Sequence, residues 1–358
     1  MLNNLEKRLR WIADSTFIGL LLVIMIVRVG PSPIGKPWVG WVYDAARVFP
    51  KTTSYLSYSP LPVLIAKTIG EPRTLVWWGL FGLILILWFV AVMRRLRDLF
   101  PDHYRIVQII FAASQVVMLE TTHIGHYDNI SVIAASLVFL WDSTWLIYIG
   151  ALLAAGANSY MSFATGICVL VLYLGTKEKR HLKIGAIWTI VSAAMLIGLH
   201  VWLNGPASNT RENIVLHQVG SVVKGAFGVW SFIFLAVLGP LWFLYVWLIA
   251  QPEWSFGPVT KFRKLCVIKG TVIIPMLMSF FILDHTRIGV VVGGLPLFLY
   301  LLPELKLHLK RIGSLKEFKF PVLSTMLIVW IIYPAIIVDN AGVFRLPYAK
   351  FISLVSGG

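Results

Sequence analysis

The sequence predicts an all-α, polytopic membrane helix bundle of about 11 transmembrane helices with a structured first outer loop. Three observations predict it. Apolar residues make up 58% of the 358 and charged residues only 13%, more apolar surface than a soluble fold of that size buries. The apolar residues are gathered into runs long enough to cross a bilayer. Every second loop between the runs is crowded with Lys and Arg, the mark of loops held on the cytoplasmic side.

The basic loops are Lys7/Arg8/Arg10, Arg94/Arg95/Arg97/Arg105, Lys177/Lys179/Arg180/Lys183, Lys261/Arg263/Lys264/Lys269 and Lys306/Lys310/Arg311/Lys316/Lys319. They hold twenty of the 31 Lys and Arg residues, so the net charge of +15 is mainly topological, with an added attraction to anionic lipid. A nucleic-acid partner is therefore not expected. Cys168 and Cys266 both fall in or beside apolar runs, which argues against a disulfide framework. Lys7, Arg8 and Arg10 precede the run 12–29, but no small-residue cleavage site follows it, so it is expected to be an uncleaved first span.

Taken in order, spans are predicted at 12–29, 74–93, 106–120, 184–203, 228–250, 266–283, 288–303 and 321–338. Between 127 and 175 the runs Asn129–Trp141, Trp145–Ala155 and Phe163–Tyr173 are short. Either all three cross, or the first two form a hairpin dipping in from the outer face; both choices leave 177–183 on the cytoplasmic side. The N-terminus is then inside and the C-terminus outside, in a bacterial plasma membrane or that of the endoplasmic reticulum. No linker or repeat divides residues 1–358, which read as a single transmembrane domain.

The first outer loop, 30–73, is the longest and is rich in Pro, Gly, Tyr and Trp. Outer loops of such length are usually functional. Ser59-Pro60-Leu61-Pro62 followed by Val63–Ala66 predicts a turn and a short interfacial helix. Trp38, Trp41, Tyr43, Tyr55 and Tyr58 are expected at the headgroup level.

Chemistry-bearing residues gather in the outer loops. Asp44 is a candidate general base; its alternative is an ion pair with Arg47. The densest polar cluster is Glu120-Thr-Thr-His123-Ile-Gly-His126-Tyr127-Asp128-Asn129. Asp128 and Asn129 fit a helix cap, which leaves two His, a Glu and a Tyr to explain. A continuing helix would put Glu120, His123 and His126 on one side. A cofactor is not required, although a divalent metal at the two His stays open. Asn129-Ile-Ser131 matches a glycosylation sequon by chance, since it enters a span. Asp284-His285-Thr286-Arg287 joins two spans tightly; Arg287 and His285 suit a phosphate clamp, the alternative being an Asp284–Arg287 cap. Arg211, near His217, is a second phosphate contact, and His200 fits either packing or function.

These residues resemble the GT-C class of membrane glycosyltransferases, which use polyprenyl-phosphate sugars. Tyr43-Asp44-Ala45-Ala46 followed by Tyr55-Leu-Ser-Tyr58-Ser59-Pro60-Leu61-Pro62 is similar to the first outer loop of the GPI and polyprenol-dependent mannosyltransferase branch. Gly125-His126-Tyr127-Asp128-Asn129 is similar to a segment that opens a short span in several branches. The resemblance covers mainly residues 12–175. Where that branch carries its catalytic carboxylate, a few residues before the matching Tyr, this chain has Trp38, Val39 and Gly40. The base is then Asp44 or Asp128, or absent.

The resemblance implies a GT-C-like fold and an inverting transfer. A polyprenyl-phosphate sugar donor enters from the membrane lipids, and its phosphate is held by Arg287, His285 and Arg211. Asp284, His123, His126, Glu120, Tyr127 and Tyr58 line the site, and the sugar passes to a glycan or glycolipid acceptor on the outer or lumenal face. Two other classes stay open. One is a polysaccharide polymerase of the O-antigen kind joining diphosphate-linked repeat units. The other is a lipid or solute transporter or flippase, for which Lys224 and the Gly239-Pro240 break within a span would mark a path.

Overall fold

The computed structural model describes residues 9–30, 36–50, 55–70, 73–203, 289–294, 336–339 and 342–345. The spans predicted at 228–250 and 266–283 lie outside the described residues, as do Arg211, Asp284, His285 and Arg287.

The described chain is a helical membrane protein. Three of its helices are long and apolar enough to cross a bilayer: Thr74–Leu99, Thr144–Leu174 and Lys179–Trp202. In chain order the elements are α1 (Asp14–Val29), α2 (Lys36–Val48), a 3-10 turn (Tyr55–Tyr58), α3 (Pro60–Ile69), α4 (Thr74–Leu99), α5 (Tyr104–Ala112), α6 (Gln115–Thr122), α7 (Tyr127–Leu140), α8 (Thr144–Thr176) and α9 (Lys179–Trp202). A π-helical turn, Gly289–Gly294, packs against α6, α7 and α8. Ile336–Asp339 (β1) pairs antiparallel with Gly342–Arg345 (β2).

The all-α class describes the chain, with one short hairpin beside the helices among the described residues. The predicted span 321–338 overlaps β1, where Ile336, Ile337 and Val338 are β-branched and suit an extended pair. Within the predicted span 288–303, only the π-helical turn is described. The span predicted at 106–120 is two short helices, α5 and α6, because Ser114 is extended (φ −70°, ψ 155°). Arg28 Nη1 donates to the carbonyl of Ala113 at 3.2 Å, occupying a backbone acceptor at that break.

Basic residues of the first three cytoplasm-type loops meet at one end of the bundle. Arg105 is buried and reaches Asp14 Oδ1 at 2.6 Å, with its guanidinium 4.2 Å from the Phe17 ring centroid. Arg97 pairs with the same carboxylate. Arg95 donates to the Leu140 carbonyl at 2.9 Å, Arg180 to that of Phe139 at 3.1 Å, and Lys183 to Thr144 Oγ1 at 3.0 Å. The turn between α7 and α8 thus lies at the basic end rather than dipping in from the other side.

Helix α8 settles how the short runs are arranged. A straight helix of its 33 residues would span about 50 Å, yet Thr144 lies beside Lys183, while Leu170 packs closely on Gly185. The helix therefore doubles back, and the bend is at Asn158, whose backbone leaves the helical region (φ −156°, ψ 90°). Trp145–Ala155 and Phe163–Tyr173 form the two limbs of one V, both open ends at the basic end. At about 1.5 Å per residue, α7 and the first limb each reach only about 21 Å, so Asp128 and Asn158 are recessed from the far end.

The segment 36–70 covers that recess. Pro60 at the first position of α3 starts the helix where the sequence predicts it. Amphipathic α2 buries Val39, Val42, Tyr43, Ala45 and Ala46. They join Val63, Ala66, Trp77, Phe81 and Tyr127 in a second apolar cluster beside the main core. Tyr43 and Tyr58 are buried rather than placed at a headgroup surface, whereas Trp41 is exposed. Phe49 meets Trp202 edge to face at 5.3 Å, tying α2 to the end of α9.

Candidate functional site

The site is a buried polar network where α6, α7 and the α8 bend meet. Helix α6 stops at Thr122, and Thr122 Oγ1 lies 2.9 Å from His123 Nδ1. The chain turns through Gly125, whose φ of +93° favours glycine, and α7 begins with His126 as its cap. Both polar groups of Gly125 are held: its N–H donates to Asn129 Oδ1 at 3.0 Å and its carbonyl accepts from Trp77 Nε1 at 2.9 Å. The continuing helix expected through Glu120, His123 and His126 is not formed, and the cap is His126 rather than Asp128 or Asn129.

Two carboxylates are enclosed here. Asn129 Nδ2 donates to Glu120 Oε2 at 2.9 Å, and Glu120 Oε1 has no hydrogen-bond partner among the described residues. Asn158 Nδ2 donates to Asp128 Oδ1 at 3.1 Å, while His126 Nδ1 lies 3.2 Å from Asp128 Oδ2. His126 Nδ1 also accepts the Asp128 amide N–H at 3.3 Å. One nitrogen cannot accept and donate at once, so a neutral ring caps the helix and a protonated ring pairs with the carboxylate. Asp128 is 2% exposed, and a carboxylate so placed depends on such partners.

Aromatic rings of α2 and α4 roof the network. Trp38 lies 4.8 Å from the His126 ring and 5.6 Å from Tyr127; Tyr43 meets Trp77 at 6.1 Å. Trp38 thus packs on the His126 ring. Asn129 is buried in its bond to Glu120, so the sequon is structural.

The structure brings together Glu120, His126, Tyr127 and Asp128, with His123 at the edge 6.0 Å from the His126 ring. Tyr58 sits next to them: its carbonyl accepts from Ser159 Oγ at 3.5 Å, beside the bend. Asp44 is not part of the network. It pairs with Arg47 at 3.5 Å on the exposed face of α2, both side chains 68% exposed, so the ion-pair alternative describes its contact. Among the described residues, no three His, Cys, Asp or Glu side chains converge as metal ligands.

Sequence reasoning missed Asn158, Trp38 and Trp77 as parts of this site. A signal for Asn158 was present in Gly156, Asn158 and Ser159, three weaker helix formers close together inside an apolar run. It also missed a pocket of about 270 Å³ beside the bend, lined by Tyr58, Tyr160, Leu196 and His200. His200 is exposed in it rather than packed.

A helical membrane protein with a recessed polar network under the folded segment 36–70 is the class these features define. Compared with known proteins, the chain matches no family model, no curated protein and no solved structure.

Proposed function

We propose that the chain is a membrane glycosyltransferase that moves a sugar from a polyprenyl-phosphate donor to a glycan or glycolipid acceptor, with inversion, at the end of the bundle opposite the basic loops. One observation carries this reading: α2, which bears Asp44, is folded over the Glu120–Asp128–Asn158 network through Trp38 and Tyr43. A first outer segment and a polar cluster 80 residues apart in sequence form one assembly at one end. The pocket at Tyr58, Tyr160 and His200 beside it offers polar and aromatic contacts of the kind that hold a sugar or phosphate.

In this mechanism Asp44 takes the proton of the acceptor hydroxyl, because of the two candidate bases it is the exposed one, and Asp128 holds the α8 bend in place. Attack at C1 breaks the bond to the donor phosphate, which leaves with its negative charge. Arg287, His285 and Arg211 stabilise that charge, since electrostatic stabilisation of the leaving group contributes much of such rates. Gly289–Gly294, which follows Arg287 by two positions in sequence, packs against the helices that carry the network. The N-terminus and basic end face the cytoplasm on this reading.

The test is donor choice. Purified protein in liposomes is given a monophosphate-linked polyprenyl sugar or a diphosphate-linked oligosaccharide, with membrane lipid extract as the acceptor pool. Transfer from the first supports the proposal; transfer from the second alone favours a polymerase. A transporter has its own support in the broken helix at Asn158 beside a buried Asp128, the feature of broken spans in transporters. Liposome uptake or lipid scrambling without transfer would favour it.

A further inference from the structure

At the basic end, away from the network, a groove of about 760 Å³ runs between α1 and α4. Asp14, Arg94, Arg97 and Gln108 line its polar part, and Leu22, Ile86 and Val90 its apolar part. The two helices are antiparallel there, since Arg97 near the end of α4 pairs with Asp14 at the start of α1. Charge is therefore confined to one end of the groove. From Asp14 to Leu22 is about 12 Å along α1, and from Arg97 to Ile86 about 16 Å along α4, a length that takes several carbons of an extended chain.

Gly19 opens the wall: a side-chain carbon built there meets nothing within 4 Å. Of the charged groups that line the polar end, two are guanidiniums, of Arg94 and Arg97, and one is the carboxylate of Asp14, which pairs with Arg97. Arg94 makes no ion pair among the described residues.

We propose that this groove is a binding site for one anionic phospholipid, its phosphate against Arg94 and Arg97 and an acyl chain along Leu22, Ile86 and Val90. The occupant follows from charge complementarity at one end and an apolar wall at the other, the arrangement by which basic pockets between membrane helices hold anionic headgroups. It needs no catalytic activity and stands apart from the glycosyltransferase reading.

Native mass spectrometry of the full chain in detergent, titrated with dioleoyl phosphatidylglycerol or dioleoyl phosphatidylcholine, tests it. Wild type retains at least one phosphatidylglycerol at concentrations where phosphatidylcholine does not bind. Arg94→Gln weakens phosphatidylglycerol binding about tenfold, the effect of losing one charged hydrogen bond, and leaves phosphatidylcholine unchanged. Gly19→Leu, which fills the groove, lowers the bound count by one, whereas Gly198→Leu, also in open space, does not. Equal binding of the two lipids by wild type, or full phosphatidylglycerol binding by Arg94→Gln, overturns the proposal. Those two measurements decide it even where Gly19→Leu fails to fold.

Discussion

Asn158 donates its side-chain N–H to Asp128 Oδ1 at 3.1 Å, and this one bond joins the bend of α8 to the first turn of α7, 30 residues earlier. Asn158 Oδ1 also accepts the Met161 N–H at 3.3 Å, so the same side chain caps the second limb. Replacing it with Leu strands a buried carboxylate oxygen and an amide. Asn158→Leu is expected to lower unfolding free energy by about 1–3 kcal/mol, read from the unfolding midpoint in mixed micelles. An unchanged midpoint would contradict the pinning role.

Gly125 is held in a left-handed turn with both backbone groups bonded. Gly125→Ala places a side chain where L residues are strained, at about 1–2 kcal/mol. The loss should appear as a lower thermal midpoint, together with altered near-ultraviolet signal from Trp77, whose indole N–H bonds this residue. Wild-type behaviour in both would mean that the turn is not formed as described.

Glu120 and Asn129 can be separated by an isosteric change. Glu120→Gln keeps an oxygen for Asn129 Nδ2, so its unfolding midpoint should stay close to wild type. Glu120→Ala leaves the Asn129 donor buried without its acceptor, at about 1–3 kcal/mol. Equal losses in the two variants would show that the charge, not the hydrogen bond, matters.

Helix α9 approaches the second limb of α8 through glycine. A carbon added to Gly166 would lie 2.8 Å from the Thr189 backbone N, and one added to Gly185 would lie 2.8 Å from Leu170 Cγ. Gly166→Leu must push the helices apart and should cost about 1–3 kcal/mol or more. Gly198→Ala, in open space on the same helix, should be neutral or slightly stabilising. The pair of midpoints checks the packing of α9 on the second limb of α8.

How much of this was legible in the sequence differs by residue. The segregation of Arg95, Arg97, Arg105, Arg180 and Lys183 to one end follows from composition of loops, because charge placement is local information. So does the start of α3, where Pro60 fixes the first helical position. The polar cluster at 120–129 was visible, but its contacts were not. Asp128 depends on Asn158 and His126 depends on Trp38, partners set by tertiary packing that no local pattern encodes. The break of 106–120 was hidden for the same reason: Ala113-Ser114 is unremarkable as sequence, and an Arg from α1 reaches its carbonyl. Ile336–Val338, most of β1, reads as the end of a span in the sequence because short β-branched apolar runs carry no distinguishing period.

The central claim is that Asp44 on the accessible face of α2 serves sugar transfer. The most direct measurement is the initial rate of transfer from a radiolabelled monophosphate-linked polyprenyl sugar by purified Asp44→Asn in liposomes, alongside wild type. Since Asp44 is exposed and, among the described residues, pairs with Arg47 alone, folding should be unaffected, and the rate should fall by about a hundredfold or more. A rate within twofold of wild type, with wild type active, would contradict the account.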